Sequence, residues 1–352
     1  MTVEQFLPSL HYGDAVGNSA LALHHFLLSR GVGSRVIAIN SDASVKDQAV
    51  MFSEYKLDPD ALKILHFAIP SPLSDFFLEL KGKKVLIYHN ITPSCFFVGY
   101  SDFLVRFTAA GREELKKLDQ CFDLSIGDSS YNADELRGMG FANVRVFPLL
   151  VNLEDYGGEH SRAYVELLKN ERKNILFAGR VSPNKKIEDL IKVVFFYKKY
   201  ISPAVRLIVV GNTSSLPKYY LAVQDLASRF HLTSEDVFFT GHLPMDEFLA
   251  VYRLADVFLS MSEHEGFCLP LLESCYFQVP VVAFDAAAVA ETLDGAGILF
   301  RDKDSARVAG LMEQVLEKDP LRRQLQTLAA ERIGRYRLQA DPEILLAMLR
   351  QL

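Results

Sequence analysis

Residues 262–285 read SEHEGFCLPLLESCYFQVPVVAFD: a glycine-containing loop, an apolar stretch that begins at a proline, and a run of β-branched and aromatic residues. The order loop, helix, strand is one unit of a pattern that recurs along the whole chain. Two glutamates stand eight residues apart in it, Glu265 in the loop and Glu273 within the apolar run LPLLESCYF. Pro270 suits the first turn of a helix, where a missing N–H costs nothing, so the N–H groups of Gly266, Phe267, Cys268 and Leu269 are expected to point out of the helix start. That makes an anion site. A fully helical span from 265 to 273 is about 12 Å long at 1.5 Å per residue. The length lets one carboxylate bind sugar hydroxyls and the other a nucleoside ribose, with a diphosphate between. The layout fits a nucleotide sugar.

Outward from this unit, short apolar runs alternate with helical patterns in two successive series. In the first half the strand candidates are RVIAI (35–39), KILHF (63–67), KVLIYH (84–89), DLSIG (123–127) and VRVF (144–147), with amphipathic stretches at 18–30 and 102–118 among them. In the second half they are NILFAG (174–179), RLIVVG (206–211), VFFTG (237–241), DVFLS (256–260), PVVAF (280–284) and GILF (297–300). Strands this continuous in Val, Ile, Leu and Phe are buried on both faces, which implies parallel sheets covered by helices. Two doubly wound α/β domains are expected, at 1–155 and 170–335, joined through the polar, charged segment 148–173 that contains Gly157 and Gly158. Ligands of such domains sit beyond the carboxyl ends of the strands.

Composition narrows the classes. At 352 residues and 49% hydrophobic content the chain exceeds one ordinary core. A net charge of −6 argues against a sequence-independent grip on nucleic acid. Cys95, Cys121, Cys268 and Cys275 form no C-x-x-C pair and have no histidine cluster beside them, so they read as reduced thiols of a cytoplasmic protein. The N-terminal MTVEQFLPSLHYGD lacks a basic segment followed by an apolar one, and no stretch approaches the ~20 apolar residues of a membrane span. Contact with a membrane is expected to be peripheral at most, at its inner face.

Three further stretches carry chemistry. FAGRVSPNKKIEDLI (177–191) turns from a strand through a proline-containing loop into a helix, placing Arg180 at the strand end and Lys185 and Lys186 in the turn. Arginine forks onto phosphate oxygens and lysine adds a compact charge, so these cations suit the negative charge that builds on a leaving diphosphate; Lys186 alone reads better as a surface residue. HYGDAVGNSALALHHFL (11–27) joins a loop to a helix, with Gly13 and Gly17 able to let backbone approach a ligand and Asn18 or Ser19 as the helix cap; His24 and His25 read as structural. YHNITPS (88–94) puts His89 and Asn90 at a strand's carboxyl end. Asp128 and Ser129 of DSSYNADEL (128–136) read as a helix cap.

SEHEGFCLPLLE followed by VPVVAF resembles the E-x7-E segment of glycosyltransferase family 4, and FAGRVSPNKK resembles its G-R-x-x-x-x-K-G phosphate motif, with Lys185 on the motif lysine and Lys186 in place of the usual glycine. The resemblance implies the GT-B fold, two Rossmann-like domains facing a central cleft, with 336–352 a last helix crossing back onto the first domain. It implies a retaining, metal-independent hexosyltransferase that takes a nucleotide-diphosphate sugar as co-substrate, uses no other cofactor, and serves polysaccharide or glycoconjugate synthesis. Glu265 would then contact the donor sugar and Glu273 the ribose, the amides of Gly266, Phe267, Cys268 and Leu269 would cradle the diphosphate, and Gly13, Gly17 and Asn18 would lie near phosphate and acceptor. Glu265, Arg180, Lys185 and His89 are the candidate catalytic residues, His89 as a positioning group. The acceptor, a glycan, a lipid-linked sugar or a small molecule, would attack on the face that the diphosphate leaves.

The aromatic and basic stretch with Phe96, Phe97, Tyr100, Phe103, Phe107, Arg106, Arg112, Lys116 and Lys117 suits a lipid-linked acceptor or, more simply, a packed core with a solvated face. Asp58-Pro59-Asp60 and Asp302-Lys303-Asp304 match the D-x-D metal motif of another glycosyltransferase fold but read as loop acids. A nicotinamide dehydrogenase is disfavoured, because Gly31-Val32-Gly33 precedes a strand where G-x-G-x-x-G should follow one. A non-catalytic nucleotide-sugar or glycan binder with a GT-B fold is the stronger alternative.

Overall fold

In the computed structural model, which describes residues 1–352, the apolar runs form two sheets whose paired strands are all parallel. The chain divides into two units. One comprises Met1–Cys95, Phe103–Asn152 and Tyr336–Leu352, the other Phe96–Asp102 and Leu153–Arg335.

The first unit contains β1 (Thr2–Leu10), β2 (Gly33–Ser41), β3 (Val50–Met51), β4 (Leu62–Phe67), β5 (Lys84–Tyr88), β6 (Leu124–Gly127) and β7 (Val144–Val146), in the order β3-β2-β1-β4-β5-β6-β7. An interior strand, β1, is absent from the sequence reading. Glu4, Gln5 and Pro8 interrupt its apolar pattern, yet Glu4 and Gln5 are fully buried. Pairing with β4 ends at Phe6 and the register with β2 skips Pro8, so the sheet tolerates the missing N–H. Glu4 is held by the Arg35 guanidinium and by the Tyr55 hydroxyl at 2.6 Å, with Lys63 Nζ 4.0 Å away. Burial lowers the Lys63 pKa, and the nearby Glu4 and Asp58 act against that. Phe6, Phe67, Phe77, Leu86 and Tyr88 pack on one face of the sheet.

The helix Ala15–Ser29 starts earlier than its apolar spacing suggests. Asp14, and neither Asn18 nor Ser19, is its cap, its carboxylate accepting the Gly17 N–H at 3.0 Å. Gly31 takes φ +69° past the end of this helix, which explains the glycine at that position. The last helix, Pro342–Arg350, buries Leu345, Leu346 and Leu349 and packs against Ala15–Ser29. No helix is long and apolar enough to cross a membrane.

The second unit contains β8 (Lys173–Ala178), β9 (Val205–Val210), β10 (Val237–Gly241), β11 (Val257–Ser260), β12 (Val281–Phe284) and β13 (Ile298–Phe300), in the order β10-β9-β8-β11-β12-β13. Strand order reverses between β1 and β4 in one sheet and between β8 and β11 in the other. Such switch points leave a crevice at the carboxyl ends.

Strand and helix approach most closely at Gly127, where an added Cβ would lie 2.4 Å from the Ala133 nitrogen of the helix Ser130–Gly138. Gly127→Ala is therefore expected to lower the free energy of unfolding by about 2–4 kcal/mol. Urea titration checks this; a loss below about 0.5 kcal/mol would show that the helix simply moves aside.

Candidate functional site

The site in the second unit follows from one register. Val257 pairs with Ile175 and Phe258 with Leu176, so the loops after β8 and β11 leave from neighbouring strand ends at the switch point. Gly179 and Gly211 tighten the first loop. A Cβ on Gly211 would lie 2.2 Å from the Gly179 oxygen, and both glycines hold positive φ, +149° and +138°. Arg180 leaves this close approach exposed, with no hydrogen-bond or ion-pair partner in the protein.

Asn184 joins the two loops. Its side-chain amide donates to the His264 carbonyl at 3.1 Å, and its own carbonyl accepts the Glu263 N–H at 2.8 Å. Lys185 is thereby set against Glu265, Nζ to Oε2 at 2.5 Å, with the side chains 20% and 7% exposed. Lys186 points elsewhere, to Glu263 at 3.2 Å and Glu188 at 3.9 Å. It also adopts the left-handed backbone, φ +53° and ψ +51°, which accounts for the glycine usual at this place in the motif. Burial works to raise the Glu263 pKa, but Lys303 at 2.8 Å and Lys186 overcome it and hold the carboxyl below its ordinary range. Lys303 also donates to the Met261 carbonyl at 2.8 Å and lies 4.4 Å from the Phe284 ring centroid.

The helix Leu269–Tyr276 begins at Cys268, itself left-handed at φ +69°. The N–H groups of Cys268 and Leu269 have no acceptor in the protein, and they belong to the N-terminal set that helices leave open. The Glu265 carbonyl accepts the Ala288 N–H at 3.3 Å, and the Phe267 carbonyl accepts the Thr292 hydroxyl. Burial first, and then Glu265, push the Cys268 thiol well above its ordinary pKa, so it is a neutral packing group. Pro270 lies in the first turn as expected.

Glu273 differs from the open ribose ligand that its spacing suggests. It is 6% exposed, and its two oxygens accept the hydroxyls of Tyr156 at 2.8 Å and Tyr252 at 2.7 Å. Burial raises its pKa and the two phenols oppose that rise. Each oxygen keeps a further lone pair. Neither tyrosine was singled out in the sequence, since they lie 117 and 21 residues away from Glu273.

In the first unit Gly13 is exposed with φ +74°, next to His11 and Tyr12, both of which bind the Asp42 carboxylate. Gly17 is buried, its N–H donates to the Asp14 carboxylate at 3.0 Å, and a Cβ there would lie 2.9 Å from Leu10. Asn18 sits exposed within the helix. His89 is bound on both ring nitrogens, Nδ1 to Asp128 at 3.2 Å and Nε2 to His66 at 3.0 Å. Ser129 caps the helix Ser130–Gly138, accepting the Asn132 N–H at 3.2 Å. In the aromatic stretch, Phe97 is buried, Phe103 is 63% exposed and stacked on Phe107, and Arg112 turns inward to Glu135. Of the D-x-D acids, Asp304 caps the helix Ser305–Glu317, Asp302 pairs with Arg307 at 2.7 Å, and Asp58 accepts the Asp60 N–H.

Because the Glu273 pKa is raised in the folded state, the fold holds more of its proton than the unfolded chain does, and its carboxylate opposes stability increasingly as pH rises above about 4.5. The Tyr252 hydroxyl offsets that cost. Tyr252→Phe is expected to lose about 1.5–3 kcal/mol at pH 7 and less at pH 5. Denaturant titrations at the two pH values check it; an equal loss at both would show that Glu273 titrates normally.

A model of the family "Glycosyl transferases group 1" matches residues 163–332. The serotype-specific mannosyltransferase WbdA of Escherichia coli is 23% identical over 182 residues, 52% of this chain and 22% of that protein. The chain thus spans about a fifth of the WbdA length. The GDP-mannose-dependent alpha-mannosyltransferase of Mycobacterium tuberculosis is 30% identical over 240 residues, 65% of this chain and 56% of that protein. Anabaena HepE, solved in complex with UDP and glucose, superposes with a TM-score of 0.75 at 14% identity, each chain covered to 100%. With two parallel α/β sheets and a matched segment that holds the Arg180, Lys185, Glu265 and Glu273 motifs, the chain belongs, through residues 163–332, to glycosyl transferases group 1 and has the GT-B fold.

Proposed function

We propose that this protein transfers a sugar from a nucleoside-diphosphate sugar to an acceptor hydroxyl, with retention at the anomeric carbon. The observation that carries this reading is an exposed, unpartnered Arg180 on the same loop as Lys185, which pairs with Glu265 of the neighbouring loop at the switch point of the second sheet. Charge grows on the diphosphate as the anomeric carbon–oxygen bond breaks. A cation already in place stabilises that charge without reorganising. Lys185 adds a second cation, and the N–H groups of Cys268 and Leu269 add neutral donors. Glu265 would orient sugar hydroxyls, and Glu273 would offer its remaining lone pairs to a ribose. The acceptor gives its proton to the departing phosphate oxygen, so no second carboxylate is needed. The two named mannosyltransferases among the relatives and the UDP and glucose held by HepE support a hexose donor.

A panel containing GDP-mannose and UDP-glucose, read by thermal shift and by nucleotide release, tests this, since ligand bound to the fold raises its melting point. Arg180→Ala and Glu265→Gln are each expected to cut nucleotide release at least about 100-fold while leaving the melting point of the free protein within a few degrees. Wild-type rates in both variants would remove these roles. Tight donor binding with background release from the native protein would make it a binder. If the acceptor is lipid-linked, exposed Phe103 beside Arg106 should bring the protein down with anionic vesicles at low salt. Protein left in the supernatant points to a glycan or small-molecule acceptor.

A further inference from the structure

We infer that the buried chain Gln5–His66–His89–Asp128 binds one proton more than two neutral imidazoles supply, which makes His89 a fixed imidazolium and leaves it no capacity to act as a base. Gln5 on β1 donates its side-chain NH2 to the Ala20 carbonyl at 3.0 Å. A carbonyl only accepts, so the amide orientation is set, and Gln5 Oε1 faces His66 Nε2 at 3.0 Å. Amide oxygen also only accepts, so His66 Nε2 must carry hydrogen. His66 Nδ1 in turn faces His89 Nε2 at 3.0 Å, with 4° between the ring planes. At the far end His89 Nδ1 lies 3.2 Å from Asp128 Oδ2, while Asp128 Oδ1 accepts from the Asn132 side chain.

Three contacts in a row therefore need three hydrogens between two acceptor-only ends, and two neutral imidazoles bring one each. The third is an additional proton. Burial, and then the charge of His89, push the His66 pKa well down. The proton consequently sits on His89, against the carboxylate that balances it. His66 is then the neutral tautomer with hydrogen on Nε2, accepting from His89 on Nδ1.

Apart from the two rings, Asp128 is the one ionisable side chain lining the small pocket beside them. Arg112, Glu135 and the Tyr88 phenol lie one step removed, reached through Asn132 and Asn90, and Arg112 and Glu135 pair with each other. The helices alongside contribute Ser19, Leu23 and Leu345 to the small pocket at the rings, none of them ionisable. Ser19 Oγ accepts the Leu150 N–H, His24 is turned to Ser34, and Glu343 pairs with Arg30. Gln5 and Asp128 are thus positioning residues that set the charge of His89 from opposite ends. This holds for the free protein, whether or not the sugar-transfer reading does.

The test is 15N–1H correlation spectroscopy of 15N-histidine-labelled full-length protein between pH 6 and 9. His89 is expected to show both ring nitrogens protonated at pH 7, beside a neutral His66 protonated on Nε2. In Asp128→Asn the new NH2 can donate to His89 Nδ1 and the new oxygen can still accept from Asn132, so two neutral rings satisfy the chain. The doubly protonated signature of His89 should then be lost at pH 7. Gln5→Met removes the other acceptor and should likewise neutralise His89, moving the His66 hydrogen to Nδ1, so a folding failure of either variant leaves the other decisive. A neutral His89 in the native protein at pH 7, or a His89 that stays doubly protonated in the variants, overturns the inference.

Discussion

The parallel pairing of β8 with β11 is the constraint on which the candidate site depends. The paired residues Ile175 and Val257 are far apart in sequence, and only the reversal of strand order between them makes their following loops diverge to opposite faces of the sheet. Everything polar in the site is built on that divergence. Asn184 then locks the two loops to each other through main-chain partners, which fixes Lys185 against Glu265 to within a hydrogen bond. One of these two links runs from main chain to main chain, so a side-chain change in either loop, Asn184 apart, acts on a frame that stays in place.

Within each unit, several buried polar groups come in satisfied sets. Glu4 has Arg35 and Tyr55, Glu273 has two tyrosines, and Gln5 begins a chain that ends at Asp128. An unpaired member of any set would cost several times what its hydrogen bond contributes. These sets explain why an interior strand of the first sheet can carry Glu4 and Gln5 in succession. Arg35 on β2 lies directly across from Glu4, and His66 on β4 follows the last pair, Phe6 with Leu65.

Much of the architecture was legible because buried parallel strands are uniform in composition. NILFA, RLIVV and VVAF lie within observed strands, with ends shifted by a residue or so. β1 was not legible, since TVEQFLPSL mixes acid, amide and proline, and its partners become visible only once β2 and β4 lie beside it. The helix cap could have been read: Asp14 stands where an acidic side chain best receives the first free N–H groups. In the candidate site, Arg180, Lys185, Glu265 and Glu273 could be singled out from their two motifs and the family resemblance these carry. Tyr156 and Tyr252 could not, because nothing in a one-dimensional pattern joins residues that meet only through tertiary packing. His66 looked like one apolar position among others in KILHF, and its role came from Gln5, on the strand that had been missed.

The left-handed conformation of Lys186 has a further meaning. A side chain at such a position costs about 1–2 kcal/mol relative to ordinary backbone, and the contacts that accompany it, to Glu263 and Glu188, are electrostatic and partly open to solvent. Where a glycine would make the turn indifferent to its surroundings, here the shape of the loop that carries Arg180 and Lys185 is tied to ionic strength. Added salt screens the anchoring carboxylates from the ammonium and loosens the turn.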